Sequence, residues 1–535
     1  MICDLSLVIC DRRMIKGLKY IILAANIAFF AVMAMVLPLG FEENDDVAMA
    51  MIANGSYSGA PDGHLVFINI LYGWVIAALY SWTTAIEWYT LAFAVLQILS
   101  MSVLAYCILT MPNRSRWERV LWMILLYVLW ARMIVALQFT TTAGVVCLAG
   151  CMLLLRERKR ARWTGVLLVI VASLIRYHAA SLVGLLMAPI ILFTYRTEWR
   201  KYLPLLLMMV VAVGCRMVNK KIYDSDPEWK YYREYNMARA QLNDNPSAYK
   251  LQQEDLPEGV DMVDYKLLLQ FTPDAEQIDL PTIQALQKRV GETPRKEQFR
   301  NLHRLDKYVV EIIVLLAILV LMMLATGNKS KYIFLILYTL FVMVLIIHVG
   351  MTGFLKNRVF ICMLMPMMMT DFVLLPKTTG TKRTRSIVII LALLSGWDVY
   401  QTIDTKINAH RKKDSLVWEQ IPLIKSVSDN SYLVTLGTSM RMEATEPWNI
   451  WPYSCRKYTL GWMTYIPFNK TVGHSYKALL RDDVYVFTDA RYAEENTALQ
   501  RICGQIEKHY GIPTTIECLS ANERYAVVKI KGIRD

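Results

Sequence analysis

Long apolar runs separated by short polar breaks fill the first three quarters of the chain. They fall near 18–39, 65–81, 87–110, 119–136, 139–155, 163–178, 179–195, 202–218, 308–326, 332–349, 359–376 and 386–400. A straight membrane-spanning helix needs about twenty apolar residues, so the shorter runs cannot be counted as spans on length alone. Between the eighth and ninth runs lies a polar stretch, 219–307, rich in Asp, Glu, Gln and Tyr and helical in places such as "EWKYYREYNMARAQL". Loops of that length inside a compact domain are usually lids or binding elements. After residue 400 the pattern changes. "SYLVTLG", "DVYVFTD" and "YAVVKI" read as strands and "ENTALQRICGQIEKHYG" as a helix, so 401–535 reads as a small α/β domain.

Charge then settles how the runs are counted. Basic residues cluster at Arg12/Arg13/Lys16/Lys19, Arg114/Arg116/Arg119, Arg156/Arg158/Lys159/Arg160/Arg162, Arg196/Arg200/Lys201, Lys329/Lys331 and Lys377/Lys382/Arg383/Arg385. Cytoplasmic loops collect Lys and Arg. If all twelve runs cross, the first cluster is cytoplasmic and the other five fall outside. If 65–81 instead returns to its own face, all six fall inside together. Gly63, Asn69 and Gly73 in and beside that run, with Tyr80, Trp82, Trp88 and Tyr89 after it, suit an interfacial segment. The expected fold class is therefore an all-α polytopic membrane protein, with about 11 transmembrane helices plus a re-entrant or juxtamembrane segment and a small extracytoplasmic α/β C-terminal domain. The expected layout is a cytoplasmic N-terminus (1–17), a transmembrane domain (18–400) with an acidic outer loop (40–64) and a large outer loop (219–307), and the extracytoplasmic domain 401–535.

Composition agrees. The 535-residue chain is 55% hydrophobic and 19% charged, with a mean hydropathy of +0.33. Its net charge of +13 is the excess that orients a membrane protein, and it calls for no nucleic-acid partner. The ten cysteines show no CxxC and no ligand spacing with His, although Cys503 and Cys518 could pair. No small-residue cleavage site follows the first run, which reads as a retained span. There is no internal repeat, low-complexity tract or Gly-rich phosphate loop.

The candidate chemistry sits where charge and membrane boundary meet. "FEENDDVAMAMIANGSYSGAPDGHLVFIN", residues 41–69, carries Glu42, Glu43, Asp45, Asp46 and Asp62 and no Lys or Arg. An outward-facing loop accounts for the missing cations. A carboxylate held partly dry against the bilayer is also more basic, which suits it to take a proton from an alcohol. Asp45 and Asp46 could alternatively share a divalent cation. At the outer ends of other runs stand Arg176 and His178 in "RYH", and Lys356 and Arg358 in "GFLKNR". Each could be a plain interfacial anchor, or together they could clamp an anionic headgroup. His64 lies where the acidic loop turns back. In the large loop Asn236, Arg239, Asp264 and Tyr265 are candidate acceptor contacts. Arg132 and His348 lie close to the ends of runs, so no intramembrane proton relay is visible.

With these residues in place the chain resembles the GT-C superfamily of polyprenyl-phosphate-dependent membrane glycosyltransferases. The likeness rests on a first span, an outer acidic loop "FEENDDVAM", juxtamembrane helices, many spans and an extracytoplasmic C-terminal domain. The run 44–69 also looks like the start of a set of uncharacterised bacterial membrane proteins placed near that superfamily. Two of its motifs are missing: a Lys-Pro-type element after the acidic loop, and the WWDYG-type motif of oligosaccharyltransferases. Their absence points away from protein glycosylation. The resemblance implies a sugar delivered from a polyprenyl-phosphate carrier to a glycan or lipid acceptor on the outer face of the cell membrane. Asp45 would be the base, Asp46 or Glu43 would orient the acceptor or hold a metal, and Arg176, Lys356 and Arg358 would hold the phosphate. His64 and His178 would line the site. A Wzy-type polysaccharide polymerase would put its key residues in the large loop, and a flippase or transporter would need midplane charges.

Overall fold

The computed structural model describes residues 12–374 and 419–533, apart from 38, 113, 196–197, 310–311, 314–315, 317–328, 354 and 437–444, together with 393, 396, 397, 400, 401 and 404. The apolar runs fold as α1 (Arg12–Val36), α3 (Ile70–Trp82), α4 (Trp88–Thr110), α5 (Arg116–Val135), α6 (Phe139–Leu154), α7 (Lys159–Tyr195), α8 (Leu203–Ser225) and the helices Lys329–Met351 and Asn357–Leu374. Six helical segments among the described residues are long and apolar enough to cross a membrane. The chain is a multi-pass membrane protein with a C-terminal sheet. Runs 308–326 and 386–400 lie largely outside the described residues, so the count of eleven spans stays a proposal.

Helix α7 is drawn as one 37-residue element, but Arg176 inside it is extended, at φ −150° and ψ 96°. A straight helix would hold residues 165 and 195 about 45 Å apart. Yet a Cβ on Gly165 would sit 3.1 Å from the Leu154 nitrogen, and Tyr195 Oη donates to the Leu154 carbonyl at 2.5 Å. The chain therefore folds back at Arg176, and the runs 163–178 and 179–195 are the two arms of a hairpin packed on α6. Gly150 permits this crossing, since a Cβ there would come within 2.7 Å of the Gly165 carbonyl oxygen.

The helices share two chemically distinct ends. At one end Arg114 donates to the Val373 carbonyl at 3.2 Å, Arg156 to Thr110 Oγ1 at 2.8 Å, and Lys201 lies over the Tyr195 ring. These contacts gather three of the basic clusters. At the other end stand the acidic loop, the Arg176 turn and the start of the helix Asn357–Leu374. Here β1 (Gly40–Phe41) pairs in parallel with β2 (Ala136–Leu137), pinning the exit of α1 to the top of α5.

Helix α3 enters and leaves at this acidic end. The Asn69 N–H bonds the Leu174 carbonyl at 2.9 Å beside the Arg176 turn. At the far end of α3, the Tyr80 hydroxyl donates to Glu87 and accepts from the Tyr89 N–H. With 13 residues the helix is about 20 Å long, short of the roughly 30 Å apolar core of a bilayer. Both of its ends thus meet residues of the acidic end. Its close contact with the acidic loop requires Gly73, because a Cβ there would come within 2.0 Å of the Gly63 carbonyl oxygen.

The polar loop folds into α9 (Pro227–Asn243) and smaller helices. Asp226 caps α9 by accepting from the Glu228 N–H at 2.8 Å, with Pro227 at the first helical position. The C-terminal region forms β3 (Tyr432–Thr435), β4 (Arg456–Thr459), β5 (Val484–Asp489), β6 (Thr514–Ala521) and β7 (Tyr525–Gly532), in the order β4-β3-β5-β7-β6. The helix Ala498–Tyr510 precedes β6. All three expected strands and the expected helix are present. β4 and β6 were not marked by their sequence pattern; most of β6 is exposed or half-exposed, and an unburied strand shows no apolar alternation. Cys503 and Cys518 are both free, the first buried and the second exposed, so the pairing that sequence left open is not made.

This sheet domain docks on the large loop and on the acidic end of the bundle. Lys508 pairs with Asp261 at 2.7 Å and His509 with Asp264 at 3.1 Å, and Tyr510 donates to Asp274 at 2.6 Å. Thr90 donates to the Pro447 carbonyl at 2.5 Å, and the Ile450 N–H donates to Glu87 at 3.2 Å.

Candidate functional site

The acidic cluster folds as the start of α2 (Asn44–Asn54). Residues Val47 to Ala53 are all buried, so this helix is a plug held within the protein. Asp45 and Asp46 occupy its first turn, where the positive end of the helix dipole favours carboxylates. Glu43 stands at the N-cap but makes no capping bond. Its carboxylate turns outward instead, 2.7 Å from Arg358 Nη1 and 3.9 Å from Lys356 Nζ.

The two aspartates have different surroundings. Asp46 is fully buried; its Oδ1 accepts from Tyr89 Oη at 2.9 Å and from the Phe139 N–H at 3.1 Å. Burial drives its carboxyl well above the ordinary range, with those two bonds opposing. Asp46 thus ties α2 to α4 and α6. Asp45 is only part-buried and faces the cations. Burial again raises its carboxyl, opposed first by Arg358, reinforced by Glu43, and opposed further by Lys356 and Arg176.

Arg176 reaches this centre from the α7 turn. Its Nη1 donates to the Phe67 carbonyl at 3.3 Å, and its guanidinium lies over the rings of Phe139 and Phe67, at 5.3 and 5.6 Å. Phe139 is the residue whose N–H holds Asp46, so the cation and both acids share one small framework. His64 stands at the edge of it. Its Nδ1 lies 2.7 Å from Asp62 Oδ1, and its ring stacks on Trp229 of α9 at 4.6 Å.

The structure thus brings together Glu43, Asp45, Asp46, Arg176, Lys356 and Arg358, segments up to about 300 residues apart in the chain. It leaves His178 exposed beside Tyr177, apart from the acids. Asp264 is taken up by His509, and the Tyr265 hydroxyl donates to the Ala248 carbonyl, which are structural duties. Among the described residues no three His, Cys, Asp or Glu side chains gather as a metal cage. Asp45 and Asp46 are adjacent, and Asp46 Oδ1 already accepts two hydrogen bonds; no step below uses a metal ion. Tyr89 and Phe139, which hold Asp46, were missed from sequence. A backbone N–H carries no side-chain signal, and a tyrosine at a helix start reads as an interfacial aromatic.

Residues 50–253 match the model of the EpsG family, a stretch that begins just after Asp46 and takes in His64, Arg176 and α9. No curated protein matches the chain. Among solved structures, the crystal structure of ArnT from Cupriavidus metallidurans bound to undecaprenyl phosphate is 14% identical. That alignment covers 96% of this chain and 98% of the other, at a TM-score of 0.40.

Proposed function

We propose that this protein is a membrane glycosyltransferase that moves a sugar from a polyprenyl-phosphate carrier to a glycan or lipid acceptor at the acidic end of its bundle. The observation that carries the reading is Asp45: a part-buried carboxylate made more basic by burial, within electrostatic reach of Arg358, Lys356 and Arg176. Carboxylate and cations are what glycosyl transfer from a phosphate requires. Asp45 takes the proton of the acceptor hydroxyl, whose oxygen attacks the anomeric carbon as the bond to the phosphate breaks, inverting that centre. Negative charge grows on the leaving phosphate, and Arg176, Arg358 and Lys356 stabilise it. Asp46 is the weaker choice for base, because its Oδ1 already accepts two hydrogen bonds. Glu43 holds Arg358 and Lys356 near the mouth until the phosphate displaces it.

In this reading the acidic end faces out of the cell, the N-terminus lies in the cytoplasm and 401–535 is extracytoplasmic, which puts every basic cluster inside. The family match supports a second reading, a polysaccharide polymerase. That reading places its key residues in the large loop, with a growing chain as one substrate. The test is Asp45→Asn against Asp46→Asn, each at normal protein level in the membrane, with cell-surface glycans analysed. The expected result is loss of the product in Asp45→Asn by a factor on the order of 10² to 10⁴. Unchanged glycans in both variants would overturn the catalytic reading.

A further inference from the structure

One face of α9 holds buried polar groups that no described residue satisfies. Arg239 is 6% exposed, and Tyr232 and Tyr235 are fully buried. The three follow at helical spacing on the large loop's main helix. Arg239 Nη2 donates to Asn236 Oδ1 at 2.9 Å, and Phe271 covers the guanidinium at 5.3 Å. Its Nε and Nη1 have no acceptor, and the hydroxyls of Tyr232 and Tyr235 have no partner either. Among the described residues no carboxylate comes within ion-pair distance of this guanidinium.

A buried cation with unused donors and no ion-paired carboxylate is costly and calls for an explanation, of which a ligand that completes it is one. Both Tyr232 and Arg239 lie within electrostatic reach of Asp45. The group belongs to the large loop, whereas Arg176, Arg358 and Lys356 belong to the bundle. Phosphate held by those three cations accounts for them and leaves Arg239 unexplained.

We infer that Arg239, flanked by the Tyr232 and Tyr235 hydroxyls, is a second anion subsite, which takes a carboxylate or phosphate carried by the substrate on the loop side of Asp45. The proposal rests on the glycosyltransferase reading for the identity of the substrate, and it adds that the substrate carries an anionic group beyond the phosphate that leaves. That group has two sources: a uronate in the saccharide, or the second phosphate of a diphosphate carrier.

The experiment uses the full chain in lipid nanodiscs and reads ligand binding by the shift in Tm. Three probes are titrated: a trigalacturonate, a neutral trisaccharide of the same length, and inorganic pyrophosphate. The wild type is expected to bind at least one anion, and to bind it about tenfold more tightly than Arg239→Gln or Tyr232→Phe does. An Arg239-dependent response to trigalacturonate assigns the group to the glycan; an Arg239-dependent response to pyrophosphate assigns it to the carrier. Arg239→Gln tests charge and stands beside Tyr232→Phe, which removes a buried hydroxyl with no partner. The unliganded Tm of Tyr232→Phe is therefore expected to be unchanged or higher, so its weaker binding does not report misfolding. Anion binding no tighter than that of the neutral sugar, or equal in wild type and both variants, overturns the subsite. Asp45→Asn separates the two readings: it abolishes transfer if Asp45 is the base, and it leaves anion binding intact or tighter because it removes a nearby negative charge.

Discussion

The Tyr89 hydroxyl donates to Asp46 Oδ1 across 2.9 Å, joining the first turn of α4 to the first turn of α2. Through the same oxygen the Phe139 N–H joins α6. Asp46 is thus the pin on which the acidic loop is mounted, and its neighbour Asp45 is free for other work.

Asp46→Ala leaves the Tyr89 hydroxyl and the Phe139 N–H without an acceptor. Each orphaned buried donor costs about 1–3 kcal/mol, so a marked fall in Tm in detergent is expected. Asp46→Asn keeps an oxygen in place for both donors and removes a carboxyl that burial holds well above its ordinary pKa. A group whose folded pKa is raised binds its proton more tightly in the folded state, so its contribution to stability is full at low pH and is lost as pH rises above the unfolded value near 3.9. Asp46→Asn should flatten that loss and melt no lower than wild type at pH 7. A lower Tm for Asn than for Ala would refute the pin.

Asp45 acts as a base only when ionised. Because burial raises its pKa against the pull of Arg358, the acidic limb of the pH–rate profile should lie above the ordinary Asp range near 3.9. Activity should rise with pH through that limb. Arg358→Gln removes the strongest opposing charge, so it should move the limb further up as well as weakening phosphate binding. A limb that moves down, or not at all, would show that Asp45 is not the group titrating.

Glu43 lies 2.7 Å from Arg358 and, in the proposed reaction, competes with phosphate for that cation. Glu43→Gln should strengthen inhibition by added polyprenyl phosphate several-fold, roughly 1 kcal/mol or less for a part-exposed pair. The measurement is the inhibition constant at fixed ionic strength. Weaker inhibition would mean that Glu43 orients the cations for the phosphate and does not compete with it.

Thr84, exposed just beyond α3, tests the orientation. A cysteine there should react with an impermeant reagent from outside intact cells, and one introduced at Arg160 only after permeabilisation. The opposite pattern would turn the whole bundle over.

Much of this was legible in the sequence because its cause is local. Apolar runs form membrane helices whatever surrounds them, since a bilayer leaves backbone groups no other partner, and the basic clusters mark one end of them. The expectation that 65–81 does not cross came from charge parity alone, and Asn69 and Tyr80 bond to residues of one end. The cluster "EENDD" and the cations Arg176, Lys356 and Arg358 stood out because charge at that end is scarce.

Other features exist only in three dimensions. Two adjacent aspartates are chemically equivalent on paper; the Tyr89 hydroxyl and the Phe139 N–H, reaching Asp46 from distant segments, make them different. The boundary between the runs 163–178 and 179–195 was legible, but the extended backbone of Arg176 that makes the turn is decided by packing of both arms against α6. The unsatisfied face of α9 could not be read either. Tyr232, Tyr235 and Arg239 look like an ordinary helical face until the fold buries them and supplies no partner. Hydrophobic pattern and charge determined the kind of molecule and the end where its candidate site lies. Burial and long-range hydrogen bonds, which depend on which distant groups meet, decided what each residue there can do.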